Sequence, residues 1–178
     1  MNFTQTSHFV GDINLPTSSP SYPYEGGQLL AEIPYYESIF LSQLLGYKMT
    51  KYLLTAYEGT PPTSGIWFDL AQGKEFTDSL GRLNKWMGFS TVGFNPIANY
   101  IYCKIQEKRQ SQTTGLGEQK PNVSASVAVS ANTKIVKAWN DMVDSTNILY
   151  DFLTINKVSY PDYIGIDNNK IGLYFKEN

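Results

Sequence analysis

Apolar positions recur most regularly over residues 131–155. Ile135, Trp139, Met142, Thr146, Leu149 and Leu153 are spaced 4-3-4-3-4, and Val136, Val143 and Tyr150 widen the stripe. This is the period of an amphipathic helix. At ~1.5 Å per residue it makes a rod of roughly 37 Å, capped by Ser130. A second helix is expected from Asn95-Pro96 to about Gln110, with Asn95 as cap and Pro96 in the first turn. A third is expected over 34–45, with Pro34 at the first helical position and Tyr36, Ile39, Phe40, Leu44 and Leu45 on one stripe. Gly46 ends it, and a short helix follows from about Lys48 to Tyr57.

Two stretches read as β-hairpins. Ile66 to Leu70 is strand-like, Gln72-Gly73 is turn-like, and Lys74 to Thr77 returns. Near the end, Tyr163 to Phe175 reads as two strands about an Asn168-Asn169 turn. A lone hairpin is marginal in water, so this one needs a partner. Residues 111–130 form a long polar connection in which Val123, Ala125, Val127 and Val129 alternate. Residues 1–32 contain Pro16, Pro20, Pro23, Gly26 and Gly27, and read as an arm that is mobile or laid across a neighbour. The expected organisation is an extended N-terminal arm (1–32), a helical-bundle domain (33–157) with an inserted hairpin (66–77) and a long loop (111–130), and a C-terminal hairpin or arm (158–178). The expected fold class is mainly α: a helical bundle with one long helix in its C-terminal half, small β-hairpins and extended arms.

Composition narrows the class without naming a function. Of 178 residues, 42% are hydrophobic, enough for a core and too many for a disordered chain. Lys+Arg 14 against Asp+Glu 16 gives a net charge of -2, unlike a dedicated nucleic-acid binder. By segment the charge is -3 over 1–60, +2 over 61–121 and -1 over 122–178, an asymmetry that suits protein docking. No apolar run reaches membrane-spanning length, and the first sixteen residues lack the charged start and apolar run of a secretory signal. One cysteine excludes an internal disulfide and a multi-Cys zinc site.

Candidate chemistry is sparse. His8, the only histidine, falls in the arm and reads as a solvated surface residue rather than a metal ligand or base. Cys103 reads as a small, partly buried hydrophobe, since no histidine accompanies it. Asp141 and Asp144 are helix neighbours that could bind Mg²⁺, but they also fit an ordinary solvated face. Asp167-Asn168-Asn169 lacks the glycine and glutamate of a calcium loop, and Gly115-Leu116-Gly117 is only a fragment of a phosphate cradle. Lys104, Lys108 and Arg109 cluster at a helix end, where they complement its dipole or meet phosphates or an acidic partner. Trp67, Trp86 and Trp139 read as core or interface anchors. No catalytic residue, cofactor site or metal site is expected.

The order of segments is more informative. It runs Val10-Gly11-Asp12-Ile13-Asn14-Leu15-Pro16, then Glu37 to Gly46, then Trp67-Phe68-Asp69-Leu70-Ala71-Gln72-Gly73-Lys74-Glu75-Phe76 and Trp86-Met87-Gly88-Phe89. The 95–110 helix, Thr114-Gly115 and the long helix with Trp139-Asn140 follow. Over about residues 9 to 155 this succession resembles the head–tail connector (adaptor) proteins of tailed bacteriophages, in particular those of phages infecting Bacteroidetes, including the crAss-like group.

The resemblance implies a non-enzymatic virion protein at the neck, between head and tail, assembled in the host cytoplasm. Its copies would form a ring of twelve beneath the portal protein, next to further neck or tail proteins. DNA would pass without sequence-specific binding, and no membrane would be involved. Arms and the C-terminal hairpin would then add strands to adjacent subunits. The residues expected at such contacts are Phe9 and Ile13 in the arm and Ile171, Leu173, Tyr174 and Phe175 at the end; the other role open to them is closing the subunit's own core. Two further classes compete. One is a non-catalytic, Tyr-rich binding module for a glycan or peptide, since 13 tyrosines offer amphipathic contact area. The other is a metal-dependent hydrolase or nuclease using the scattered carboxylates.

Overall fold

The computed structural model describes residues 2–15, 26–110, 112–114, 117–119 and 131–165. The chain is mainly helical, as its periodicity predicts. Helix α1 spans Gly26–Leu45, α2 Tyr47–Ala56, α3 Ile66–Gln72, α4 Pro96–Gln110 and α5 Ala131–Ile155. Strands β1 (Lys74–Thr77) and β2 (Leu83–Trp86) form one antiparallel pair; β3 (Gln112–Thr114) and β4 (Gly117–Gln119) form another. Helix α4 is central, packed on α5 along one side and on α1 along another.

The expected stripe of α5 is the packed one. Trp139, Met142, Thr146, Leu149 and Leu153 are all buried, with Ile135 partly so. Val136 and Tyr150 stay exposed, so the stripe is narrower than the apolar sequence. On α4 both faces are covered: Ile97, Tyr100, Ile101, Cys103 and Ile105 are buried, and so is Tyr102. Asn95 caps this helix, its Oδ1 accepting the Ile97 and Ala98 N–H groups at 2.9 and 3.2 Å. The Ser130 cap, the alternating valines of 123–129 and the expected strands from Ile166 onward lie outside the described residues.

Three expectations need correction. Helix α1 begins at Gly26, eight residues before Pro34, which sits inside it. Proline removes the N–H that would bond the Leu30 carbonyl. That loss falls on the exposed side of the helix, where Leu30 and Pro34 both meet solvent, while Leu29 and Ile33 are buried. Residues 66–70 belong to helix α3, not a strand. Glycines at φ +93° flank it on both sides, and the Trp86 Nε1–H donates to the Leu70 carbonyl at 2.7 Å. Strand β1 therefore pairs downstream, Lys74 opposite Trp86 and Thr77 opposite Leu83, about a turn at 78–82.

The third correction concerns the start of the chain. Residues 2–15, expected as part of an arm that is mobile or laid across a neighbour, pack on their own chain. They form two 3₁₀ turns, Thr6–His8 and Gly11–Ile13, and place Phe3, Phe9, Ile13 and Leu15 in the main core. Phe3 packs edge-on against Tyr57, with ring centroids 5.0 Å apart. The other end of the described chain also folds inward. Tyr160 packs on Phe152 and Trp67, its hydroxyl donates to the Ile66 carbonyl at 2.7 Å, and Tyr163 is buried.

Candidate functional site

Hairpin β1–β2 carries two strongly exposed leucines. Its register points Phe76 and Trp86 inward, Phe76 meeting Phe152 of α5 at 5.6 Å, and turns Glu75, Thr77, Leu83 and Lys85 to solvent. The connecting turn is braced by one carboxylate. Asp78 Oδ1 accepts the Leu80 and Arg82 N–H groups at 2.9 Å each; Oδ2 accepts Arg82 Nε–H at 2.7 Å and Asn84 Nδ2–H at 2.9 Å. These bonds hold the Asp78 carboxyl below its usual pKa. They also fix a tip on which Leu80 and Leu83 are each 73% exposed.

The hairpin is set on the body by two glycines in close backbone contact. A Cβ on Gly88 would lie 2.5 to 2.6 Å from backbone atoms of Ala71, Gln72 and Gly73, and a Cβ on Gly73 would lie 2.4 Å from the Trp86 carbonyl oxygen. The approach is closed by a 2.8 Å bond from the Phe89 N–H to the Ala71 carbonyl. Other exposed apolar groups include Val158 after α5, Val92 and Phe94 before α4, Ile148 and Ile155 on the outer face of α5, and Tyr47 and Ile164, both beside Gly46.

The basic cluster at the end of α4 is engaged within the chain. Lys104 lies over the rings of Tyr100 and Trp139, 5.6 and 6.0 Å from their centroids, and pairs with Glu107 at 2.9 Å. Lys108 lies 5.0 Å from the Tyr36 ring centroid and pairs with Glu32 at 3.0 Å. Against the opposing effect of burial, the bond to Glu107 raises the Lys104 pKa, and bonds to the Tyr36 hydroxyl and Glu32 raise that of Lys108. Cation–π contacts of this kind join α4 to α1 and α5. The Arg109 side chain lies outside the described residues.

Of the residues expected at subunit contacts, Phe9 (5% exposed) and Ile13 (8%) take the second of their two possible roles, closing the core of their own chain. Ile171, Leu173, Tyr174 and Phe175 lie outside the described residues. Cys103 is fully buried, and burial pushes its thiol up to about 12. Asp141 and Asp144 are exposed, Asp141 pairing with Lys137 at 3.0 Å, and no metal-binding group of three appears among the described residues. Among the described residues, no helix is long and apolar enough to cross a membrane.

His8 requires a correction. It is 5% exposed, not solvated, and belongs to a polar cluster that the sequence does not reveal. Its Nδ1 accepts the Gln5 N–H at 3.1 Å and faces Asn95 Nδ2 at 3.1 Å, and its ring bonds the Ser90 backbone. The Asn95 Nδ2–H also reaches Thr4 Oγ1 at 3.2 Å. Beside them the buried Glu37 carboxylate, 3% exposed, accepts the Phe3 N–H at 2.9 Å and the Thr4 N–H at 2.8 Å. The one signal in the sequence was a carboxylate on the apolar side of α1, one position after Tyr36.

No protein-family model matches the chain, and comparison with curated proteins and with solved structures returns no match.

Proposed function

We propose that the chain is a structural subunit of a phage neck, forming a ring that joins portal to tail and lets DNA through. The observation that carries this reading is the hairpin tip. Two leucines stand in solvent, Leu80 on a turn braced by four hydrogen bonds and Leu83 at the start of β2, in a hairpin seated on the body by a glycine contact. A rigid apolar projection suits docking, because little conformational freedom is lost when it is covered. The order of segments over residues 9 to 155 supports the class. A net charge of -2 suits a channel through which DNA slides without adhering.

The test is the double variant Leu80→Asp with Leu83→Asp. Both side chains are exposed, so the fold is retained by circular dichroism. Incorporation into particles falls at least tenfold. Undiminished incorporation refutes the role given to the tip. A second reading, a Tyr-rich binding module, draws on the exposed Tyr35, Tyr47 and Tyr52. Saturable binding of a glycan or peptide by the isolated chain, lost when these tyrosines are replaced by alanine, would establish it instead.

A further inference from the structure

The bonds around His8 leave no place for a second ring proton. Nδ1 is an acceptor, facing the Gln5 N–H and the Asn95 amide nitrogen, each at 3.1 Å. The ring also bonds the Ser90 backbone, and with Nδ1 taken as the acceptor of the other two contacts, Nε2 is the nitrogen left for it. The neutral tautomer protonated at Nε2 satisfies all three contacts. An N–H at Nδ1 would confront two donors and no acceptor. Asn95 cannot relieve this by turning its amide over. Its Oδ1 accepts the Ile97 and Ala98 N–H groups that open α4, so a flip would set an NH₂ group against both.

The same cluster holds the start of the chain. Thr4 is bonded both to Asn95 and to Glu37, Phe3 is bonded to Glu37, and Gln5 is bonded to His8. These bonds span 33 to 91 residues in sequence, apart from the local one between Gln5 and His8. We propose that residues 2–15 form a proton-releasable latch, with His8 as the trigger and Asn95 coupling it to the N-terminus of α4. Release uncovers the rings of Tyr57 and Phe89, which Phe3 covers.

The surrounding charges do not reverse this. Ser90 and Asn95 are neutral. Asp12, on the same segment, is paired with Lys137 of α5 at 3.1 Å. Glu37 of α1 is the buried carboxylate of the cluster, and it is occupied by Phe3 and Thr4. Burial lowers the His8 pKa from 6.5, so stability from the neutral ring is present above 6.5 and is lost as pH falls toward the folded-state value. Burial raises the Glu37 pKa from 4.5, so its own protonation on acidification favours the folded state and opposes release.

The experiment is amide hydrogen exchange by NMR on the full chain, from about pH 8 to about pH 5, with the His8 imidazole resonances followed in the same samples. Protection of the Phe3 and Thr4 amides is expected to fall by about tenfold per pH unit below 6.5, levelling off at the folded-state pKa of His8. The Leu149 and Leu153 amides of α5 keep their protection. His8→Asn, which retains an acceptor near the Nδ1 position but cannot titrate, gives a flat profile. Protection at Phe3 and Thr4 that ignores pH overturns the latch, as does protection lost together with α5 or lost identically in the asparagine variant. If that variant itself frees the segment, the wild-type chain decides: a loss of protection that levels off at the midpoint of the His8 titration supports the trigger, and a loss that continues unchanged through that midpoint refutes it.

Discussion

Replacing Gly88 by alanine tests the seat of the hairpin. Two penalties combine there. The residue sits at φ +83°, where an L side chain costs roughly 1–2 kcal/mol. Its new Cβ would also lie 2.5 Å from the Gln72 carbonyl carbon and 2.6 Å from the Ala71 oxygen, and backbone atoms cannot rotate aside. Relieving that overlap parts the two segments and breaks the 2.8 Å bond from Phe89 to Ala71, leaving a buried N–H unpaired at about 1–3 kcal/mol. The sum is about 2–5 kcal/mol. Gly93 is the internal control. It has φ +82° and open space around its Cβ position, so its alanine variant carries only the first penalty. In urea titrations followed by circular dichroism, Gly88→Ala should therefore lose roughly 1–3 kcal/mol more than Gly93→Ala. In thermal melts the gap should be about 2–12 °C for a chain of this size. Equal losses in the two variants would refute the claim that backbone contact, rather than φ alone, fixes the hairpin.

Leu153→Ala, at a fully buried site on α5, should cost about 2–5 kcal/mol by chemical denaturation. Cys103, buried and with its thiol held protonated up to about 12, should resist a thiol reagent at mildly alkaline pH in the native state and react once the chain is unfolded in urea. Asp78 accepts four hydrogen bonds and its pKa is lowered from 3.8, so its support of the turn is complete above 3.8 and fades as pH falls through the lower folded-state value. Exchange protection of the Arg82 amide should follow that course, and should vanish in Asp78→Ala at neutral pH. Glu37→Gln puts an NH₂ donor against one of the two amides that the carboxylate now accepts; faster exchange at Phe3 or Thr4, with α5 unchanged, should follow.

Where local pattern and tertiary packing agreed, the elements could be read from the chain. Helix α5 occupies the 131–155 stretch that its 4-3-4-3-4 spacing marks, because five turns of stripe outweigh any single residue. Helix α4 starts where Asn95-Pro96 places it, since that cap is a local bond. Residues 66–70 misled because a short apolar run carries no decisive period. The helix there is fixed by bounding glycines and by Trp86, sixteen residues away along the chain. The segment 2–15 misled for a similar reason. Its apolar residues have no regular spacing, and the bonds that tie it down come from Glu37 and Asn95. A contact made across 33 or more residues leaves no mark on local pattern. The same holds for His8, whose burial depends on Asn95, 87 positions later. Pro34 looked like a helix start because the preferred position of proline is known and the exposure of the Leu30 carbonyl is not.

The neck reading meets its most direct test in electron cryomicroscopy of particles made by the genome that encodes this chain. The account predicts density for a closed ring of copies between portal and tail, with the 78–82 turn of each copy seated against protein. Purified particles that contain no copy of the chain would contradict it.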